Sequence, residues 1–312
     1  MRPSILELIE VTKVFRGNWT LSVVRAVDRL SLAAREGEIY GLIGHNGAGK
    51  TTTFKLLVGL LRPTSGKVLC EGRPVSSRVR QSIGFSPEQP YFYDYLTVRE
   101  TLHFYGQLYG LSTAQLRSRI AAVVAQFGIA HKLHAPMRTL SKGLLQRVAV
   151  AQAIMHQPRL VILDEPMSGL DPAGRKSMRD LILSLKRSGT TVLFSSHVLS
   201  DAEALCDRVA ILAAGRLREV VDLRGNGAAP VSYALVVARP PAETLEALAR
   251  MAMLPPAGGP ERWTIKLNDH TAVRAALAAI HGTDTQVEAV LPEYPSLEDR
   301  FLQYTRNGNL TD

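Results

Sequence analysis

The chain has 312 residues, of which 46% are hydrophobic and 21% are charged, and its formal net charge is +9. This composition excludes a wholly disordered chain and suits one large domain or two modest ones. The positive charge favours an anionic partner such as a nucleotide, a nucleic acid or an anionic lipid. Because the basic residues are scattered, with no run of five or more, we expect no arm that binds nucleic acid.

The cysteines and the N-terminal segment bear on where the chain works. Cys70 and Cys206 form no C-x-x-C pair, so the sequence predicts neither a disulfide framework nor a zinc site, and reduced thiols fit a cytosolic compartment. Acidic and polar residues interrupt the first dozen positions, so no signal peptide is expected. No apolar run approaches the roughly 18–20 residues that span a bilayer. If the protein acts at a membrane, we expect another chain to supply the span.

A glycine-rich turn lies between a predicted buried strand, Glu38 to Ile43, and a predicted helix that runs from Lys50 to near Arg62. Its residues match the pattern G-x-x-x-x-G-K-[ST] in full, and Thr52 follows them: Gly44, His45, Asn46, Gly47, Ala48, Gly49, Lys50 and Thr51. Backbone N–H groups of such a turn surround phosphate oxygens, and the helix N-terminus adds partial positive charge. We expect Lys50 to reach the β- and γ-phosphates and the Thr51 hydroxyl to ligate Mg²⁺. The sequence therefore predicts a nucleoside triphosphate site.

The run LSKGLLQRVAVAQAI, which begins at Leu140, predicts a helix that starts near Lys142 or Gly143. Ser141 is a good N-cap residue for that helix. A helix N-terminus with small residues is a second end that can bind an anion. This helix N-terminus lies shortly before a pair of acidic residues, which indicates a role beyond capping the helix.

Two further segments place polar side chains at the ends of predicted strands. The run RLVILDEP, which begins at Arg159, predicts a buried parallel strand that ends in Asp164 and Glu165. Asp164 is placed to touch Mg²⁺ directly or through water, and Glu165 to accept a proton from a water that attacks the γ-phosphate. The run VLFSSHVLSDAEAL, which begins at Val192, predicts a strand, a polar turn with His197 and a helix. Ligands of open α/β sheets bind at this edge, so His197 is a further candidate.

In this order, the segments resemble the motifs of the ATP-binding cassette (ABC) transporter ATPases over roughly residues 5–222. Walker A corresponds to Gly44–Thr51, the LSGGQ-type segment to Leu140–Leu144, Walker B to Leu160–Glu165, the D-loop to Ser168–Asp171 and the H-loop to His197. The resemblance implies an α/β P-loop NTPase fold of the RecA-like type, with a β subdomain and a helical subdomain. It also implies ATP and Mg²⁺ as cofactors.

The resemblance further implies that two such domains form a head-to-tail dimer with two ATP molecules between them. Ser141 and Gly143 would then contact the γ-phosphate held by the partner's P-loop, and Asp171 would bridge the two sites. Glu165 would polarise the attacking water, and His197 would hold the γ-phosphate. Because the chain has one cassette, we expect it to form a homodimer or to pair with a related cassette.

Two segments depart from the family pattern. In the LSGGQ-type segment, Lys142 stands where glycine is usual and Leu144 stands where glutamine is usual. In the Q-loop, which follows IGF at position 83, Glu88 occupies the usual glutamine position and Gln89 comes one residue later. The resemblance therefore leaves open which of the two, Glu88 or Gln89, contacts the metal and the water.

The adenine site is expected near the N-terminus, where VTKVFRGNW resembles the A-loop of the family. Phe15 occupies the position of the aromatic ring that stacks on adenine, and Trp19 is a possible substitute. Stacking would add affinity with little discrimination between bases. The alternative is that Phe15 is a core residue.

The pattern S-K-G-x-x-Q-R, together with an acidic Q-loop, resembles the ATPases of ABC-2-type exporters. A helical subdomain is expected over about residues 86–157, and its segment PYFYDYLTV would line the groove that receives a membrane subunit. The aromatic residues of that segment form an interface if they are exposed, and the alternative is that they pack under the helices: Tyr91, Phe92, Tyr93 and Tyr95. The expected partner is a polytopic membrane subunit, which places the chain at the cytoplasmic face of the inner membrane.

The character of the sequence changes after about residue 223. The cassette is expected over residues 1–223, a Gly/Ala/Pro linker over 224–230 and a small α+β accessory domain over 231–312. The alternative function is that of a soluble ABC ATPase that acts on nucleic acid or ribosomes. A GTPase is disfavoured because the sequence has no N-K-x-D guanine motif, and no nucleic-acid partner is expected.

Overall fold

The computed structural model describes residues 3–16, 23–224, 232–294 and 296–306. Contacts divide the chain into two compact units. The first comprises the described residues up to Arg224 and those from Tyr304 onward, and the second comprises the described residues between them. Trp19 and residues 225–230 of the expected linker lie outside the described residues, so both expectations stay predictions.

The strands of the first unit form two sheets. They are β1 (Ser4–Arg16), β2 (Val23–Arg35), β3 (Ile39–Ile43), β4 (Ser65–Cys70), β5 (Arg73–Pro74), β6 (Ile83–Ser86), β7 (Leu160–Leu163), β8 (Thr191–Ser196), β9 (Arg208–Ala213) and β10 (Arg216–Asp222). One sheet is antiparallel with the order β2-β1-β4-β5. The other has the order β10-β9-β3-β8-β7-β6, in which only β10 runs antiparallel to its neighbour.

The middle of the six-stranded sheet brings three predicted motifs together. Every residue of β3, β7 and β8 is buried, as expected of parallel strands that are covered on both faces. The register pairs Ile43 with Ser196 and Leu163 with Phe194. The carboxyl ends of the three neighbouring strands therefore lie at one edge of the sheet, which is where open α/β sheets bind ligands.

The helices of the first unit are α1 (Lys50–Leu57), α2 (Ser77–Arg80), α3 (Val98–Leu108), α4 (Thr113–Gln126), α5 (Lys142–Ala153), α6 (Pro172–Arg187) and α7 (Leu199–Leu205), with 3₁₀ turns at Ala130–Lys132 and Met137–Thr139. Helix α1 packs Phe54 and Leu57 into the core shared with both sheets. The prediction that this helix reaches Arg62 is wrong. The chain leaves the helix at Val58, because Gly59 adopts a left-handed conformation with a φ of 68°.

Helices α3 and α4 begin with capping boxes, in which Thr97 pairs with Glu100 and Ser112 with Gln115. Their buried faces carry Leu102 on α3 and Val123 on α4. None of the described helices is long and apolar enough to cross a membrane.

His156 lies just beyond α5 and stacks on Tyr109, which follows α3, with ring centroids 3.8 Å apart. Burial, assisted by the charge of Arg119, lowers the pKa of His156 from 6.5 to about 4. In the unfolded chain the ring binds a proton near pH 6.5, whereas in the folded chain it does so only near pH 4. The free energy of unfolding should therefore fall as the pH drops from about 6.5 to about 4.

A His156→Phe variant should keep the stacking and lose this part of the pH dependence. Urea unfolding between pH 4 and pH 7 measures the effect for both chains. Equal acid sensitivity of the variant and the wild-type chain would contradict the prediction.

Both cysteines are free and buried. Burial raises the pKa of Cys70 to about 11 and that of Cys206 well above its usual value. Thiols of this kind stay protonated and unreactive at neutral pH.

The second unit contains β11 (Ser232–Ala238), α8 (Ala242–Met251), β12 (Ala257–Gly259), β13 (Arg262–Leu267), α9 (His270–Ile280), β14 (Gln286–Glu293) and most of α10 (Leu297–Arg306). Its antiparallel sheet has the order β12-β13-β11-β14, which is the arrangement of a β-α-β-β-α-β unit. Leu235, Ile265 and Leu248 meet in its core. An α/β unit with a separate antiparallel sheet, followed by a small α+β unit, confirms the predicted fold class.

Candidate nucleotide-binding site

The glycine-rich turn joins β3 to α1 and leaves the N-terminus of α1 open to an anion. Gly49 is the N-cap residue, no side chain caps the helix, and no acidic residue stands in its first turn. A Cβ atom at position 49 would lie 2.5 Å from the Ala26 carbonyl oxygen, so only glycine fits here. The first N–H groups of a helix have no partner within the helix, and together with the helix dipole they favour a phosphate.

Lys50 is the buried cation of this turn. Its Nζ donates to the carbonyl oxygens of Gly44 at 2.7 Å and His45 at 3.3 Å. The same ammonium lies 3.2 Å from Glu165 Oε1. Since a buried charge is costly without a partner, Lys50 and Glu165 compensate each other, and a bound phosphate would give the ammonium a second anionic partner.

The paired acids follow β7 and are held by Ser195 of β8. The Ser195 hydroxyl donates to Asp164 Oδ1 at 2.7 Å and accepts from the Glu165 N–H at 2.8 Å. Glu165 has a φ of 47°, and a left-handed conformation costs a non-glycine residue about 1–2 kcal/mol. The hydrogen bond from Glu165 to Ser195 therefore helps to stabilise a strained backbone next to the glycine-rich turn.

His197, the residue after β8, contacts the same carboxylate. Its Nδ1 lies 2.8 Å from Glu165 Oε2. Glu165 thus has Lys50 at one carboxylate oxygen and His197 at the other. This arrangement brings a carboxylate, an ammonium and an imidazole together in the cleft beside the glycine-rich turn.

These groups border a cleft of about 530 Å³. The predicted residues that line it are His45, Asn46, Gly47, Gly49, Lys50, Thr51, Thr52, Glu88, Glu165 and His197. Gly44 and Ala48 are buried within the turn itself, and Asp164 is buried behind Glu165. Ala26 and Ser168 also line the cleft and were not predicted.

Besides Gly44, Ala48 and Asp164, five further predicted residues do not line this cleft. Gln89 and Phe15 are exposed elsewhere, and the Lys13 ammonium lies 5.2 Å from the centre of the Phe15 ring. Ser141 caps α5 and accepts from the Leu144 N–H at 3.4 Å. The last two are Gly143, which lies in the first turn of α5, and Asp171, which caps α6.

Two positioning residues were missed by the sequence analysis. Ser195 holds both acids, and its signal was a polar residue that ends an apolar strand. Gln146 of α5 is buried, and its Nε2 donates to the Glu88 carbonyl oxygen at 3.2 Å. Nothing in the local pattern of α5 pointed to that contact, since the two residues lie far apart in sequence.

A Ser195→Ala variant should leave the Glu165 N–H and the Asp164 carboxylate without their shared partner. A buried donor that loses its acceptor costs about 1–3 kcal/mol. We expect a comparable loss in the free energy of unfolding and a lower kcat for hydrolysis. Urea unfolding and steady-state kinetics measure the two effects, and Ser188→Ala on the surface is the control.

The oxygen groups near the cleft suit a hard cation that arrives with a nucleotide. The hydroxyl of Thr51 and the carboxylate of Glu88 line the cleft, and Asp164 lies next to Glu165. Oxygen ligands of this kind fit Mg²⁺, which is usually held by one or two protein groups together with phosphates. Among the described residues, no cluster of three or more histidine, cysteine or acidic side chains is poised to hold a metal by itself.

The six-stranded sheet, the glycine-rich turn between β3 and α1, and the acids that follow β7 at the same edge of the sheet define a P-loop nucleoside triphosphatase. A sequence model of the family described as "ABC transporter" matches residues 27–168. An uncharacterized ABC transporter ATP-binding protein of Synechocystis sp. is 37% identical over 100% of this chain and 87% of its own. The chain therefore belongs to the family of ABC transporter ATP-binding proteins. It is an ATP-binding, ATP-hydrolysing cassette.

Solved structures agree with this assignment. A structure described as the ATP-binding subunit of an ABC transporter is 31% identical, with a TM-score of 0.62 over 70% of this chain and 90% of the other. The dimeric structure of MJ0796, a bacterial ABC transporter cassette, is 24% identical, with a TM-score of 0.65 over 70% of this chain and 99% of the other. The second likeness concerns the fold alone.

Proposed function

We propose that two copies of this chain, or this chain and a related cassette, bind two ATP molecules between them and drive an ABC-2-type exporter. One observation carries the proposal. The cleft collects the P-loop, Glu165 and His197 from one chain, whereas Ser141 and Gly143 at the start of α5 do not line it. We infer that a second chain supplies these two residues and completes the site.

In the complete site, the start of α5 meets the partner's nucleotide. Ser141 is exposed and α5 is a helix of 12 residues, so its N-terminus offers backbone N–H groups to a phosphate. Asp171 caps α6 close to this segment and would form the bridge across the dimer. On binding ATP, the two chains exclude water from the phosphates, which strengthens these interactions.

Within each chain, the side chains already in contact divide the work of hydrolysis. Lys50 neutralises charge on the β- and γ-phosphates, and Glu165 accepts the proton of the attacking water. His197 orients the Glu165 carboxylate through the contact at 2.8 Å and holds the γ-phosphate. Thr51, Glu88 and Asp164 would hold Mg²⁺, which supplies charge neutralisation between the β- and γ-phosphates when it is bound.

Two positions that the sequence left open are the Q-loop ligand, which the cleft lining bears on, and the adenine-stacking ring, which side-chain exposure bears on. Glu88 lines it and Gln89 does not, which favours Glu88 as the Q-loop ligand. Phe15 is 40% exposed, which fits a ring available for stacking better than a core residue. We therefore assign adenine stacking to Phe15.

The membrane partner is proposed to bind at the aromatic segment before α3. Tyr91, Tyr95 and Tyr93 are 86%, 73% and 48% exposed, whereas Phe92 is buried. Exposed aromatic groups of this density favour an interface over a solvated turn. A polytopic membrane subunit at this segment would place the chain at the cytoplasmic face of the inner membrane.

Affinity capture from membranes tests this function. A tagged Glu165→Gln chain is incubated with native membranes, ATP and Mg²⁺, and the complex is solubilised and purified. We expect a polytopic membrane protein to co-purify in near-equal amount. A control chain with Leu60→Ser should retain this partner, whereas a chain in which Tyr91 and Tyr95 are changed to serine should lose it. Ribosomes, nucleic acid or soluble proteins alone would favour the alternative function.

The same capture tests the exporter branch. An ABC-2-type membrane subunit in the complex would support the proposal. A membrane subunit that belongs with a substrate-binding protein of an importer would contradict the branch and leave the cassette assignment intact.

A further inference from the structure

Lys142, which departs from the usual glycine of the LSGGQ-type segment, reaches the D-loop of its own chain. A Cβ atom at position 169 would lie 2.1 Å from Lys142 Nζ, 3.0 Å from its Cε and 3.5 Å from its Cδ. The end of the lysine side chain therefore lies directly against Gly169. Any larger residue at position 169 would displace it.

The Lys142 side chain meets the D-loop by packing and not through a hydrogen bond. Lys142 is exposed at the start of α5, and among the residues that the structure describes it has no hydrogen bond or ion pair. A lysine can pack its methylene stem on a neighbouring surface and keep its strongly hydrated ammonium in water. Lys142 therefore contacts Gly169 by packing the end of its side chain over the glycine, and its ammonium stays at the surface.

The D-loop in turn borders the nucleotide cleft. The Ser168 N–H donates to the Glu165 carbonyl oxygen at 3.0 Å, and Ser168 lines the cleft. A second contact joins the two segments, since a Cβ atom at position 143 would lie 3.7 Å from Leu170 Cδ2. The start of α5 is thus connected through the D-loop to the backbone of Glu165.

We propose that Lys142 is a positioning residue that holds the D-loop against the LSGGQ-type segment and so connects the two ATP sites of the dimer. The inference rests on the proposed sandwich dimer. There, the LSGGQ-type segment meets the partner's nucleotide, whereas the D-loop borders the cleft of its own chain. Through Lys142, occupancy of one site sets the position of Ser168 and Glu165 in the other.

Kinetics of three variants test the role of the side chain. Lys142→Ala should lower kcat about fivefold or more and leave the KM for ATP within about twofold, because the D-loop acts on hydrolysis and not on binding. Lys142→Arg should retain most of the activity because it restores a long cationic side chain. Lys67→Ala, which removes an exposed lysine of β4, is the matched control.

A double-mutant cycle with Gly169→Ala tests the contact. The backbone strain of alanine at a φ of 68° is present in both backgrounds and cancels in the cycle. We expect Gly169→Ala to lower kcat less in the Lys142→Ala chain than in the wild-type chain, because both changes remove the same contact. The proposal would be overturned if each change lowered kcat by the same factor in both backgrounds. It would also be overturned if the Lys142→Ala chain had an unchanged kcat.

Hydrogen exchange separates this proposal from the dimer on which it rests. In the ATP-free chain, amides of residues 167–171 should exchange faster in Lys142→Ala than in the wild-type, Lys142→Arg and Lys67→Ala chains. Unchanged exchange would overturn the Lys142 contact whatever the kinetics show. A third outcome is that exchange is faster in Lys142→Ala but the Glu165→Gln chain does not dimerise with ATP. That result would keep the Lys142 contact and overturn the connection between two ATP sites.

Discussion

A Glu165→Gln chain is expected to bind ATP about as tightly as the wild-type chain and to hydrolyse it at least about 100-fold more slowly. Glutamine keeps the size of the side chain and an oxygen that can face Lys50, which lies 3.2 Å from Glu165 Oε1. It is not basic enough to accept the proton of an attacking water. Phosphate release measures kcat, and titration with ATP in the absence of turnover measures the Kd.

The same variant should accumulate as an ATP-bound dimer. Light scattering with and without Mg²⁺ and ATP measures the molar mass, and the wild-type chain is expected to dimerise only transiently. Asp180→Asn, which changes an exposed acid of α6, is the control and should retain wild-type turnover. Full turnover by the Glu165→Gln chain would show that another group is the base.

The sequence was informative where a function is carried by neighbouring residues. The P-loop is contiguous in sequence, and its glycines, Lys50 and Thr51 are recognisable without knowledge of the fold. The acids and His197 each follow an apolar run, so the rule that ligands bind at the carboxyl ends of parallel strands predicted that they would meet. The register of β3, β8 and β7 fulfils that expectation.

Contacts between distant segments were not predictable in the same way. Gln146 bonds the backbone of Glu88, and Lys142 lies against Gly169, because tertiary packing brings α5 to both loops. Helix propensity continues past Leu57, but the left-handed backbone of Gly59 ends α1. Strand β12 consists of alanine and two glycines, so it lacks the β-branched and aromatic residues that signal a strand.

Lys50→Ala should weaken ATP binding at least about tenfold, because a hydrogen bond to a charged group is worth about 1.5–3 kcal/mol and Lys50 is expected to reach two phosphates. The change also affects the ATP-free chain. Lys50 and Glu165 are both buried, so removing the ammonium leaves the carboxylate without its lysine partner and in contact with the His197 imidazole. Breaking a buried pair in this way costs about 3–5 kcal/mol.

These two losses can be measured separately. Urea unfolding without nucleotide gives the stability of the Lys50→Ala chain, and the Lys50→Ala, Glu165→Gln double variant should recover part of that loss, since it removes both members of the pair. The double variant should still bind ATP weakly, because recovery of the fold does not restore the cation that meets the phosphates. Unchanged ATP affinity in a folded Lys50→Ala chain would contradict the role of Lys50 in the P-loop, whereas unchanged stability would contradict only its pairing with Glu165.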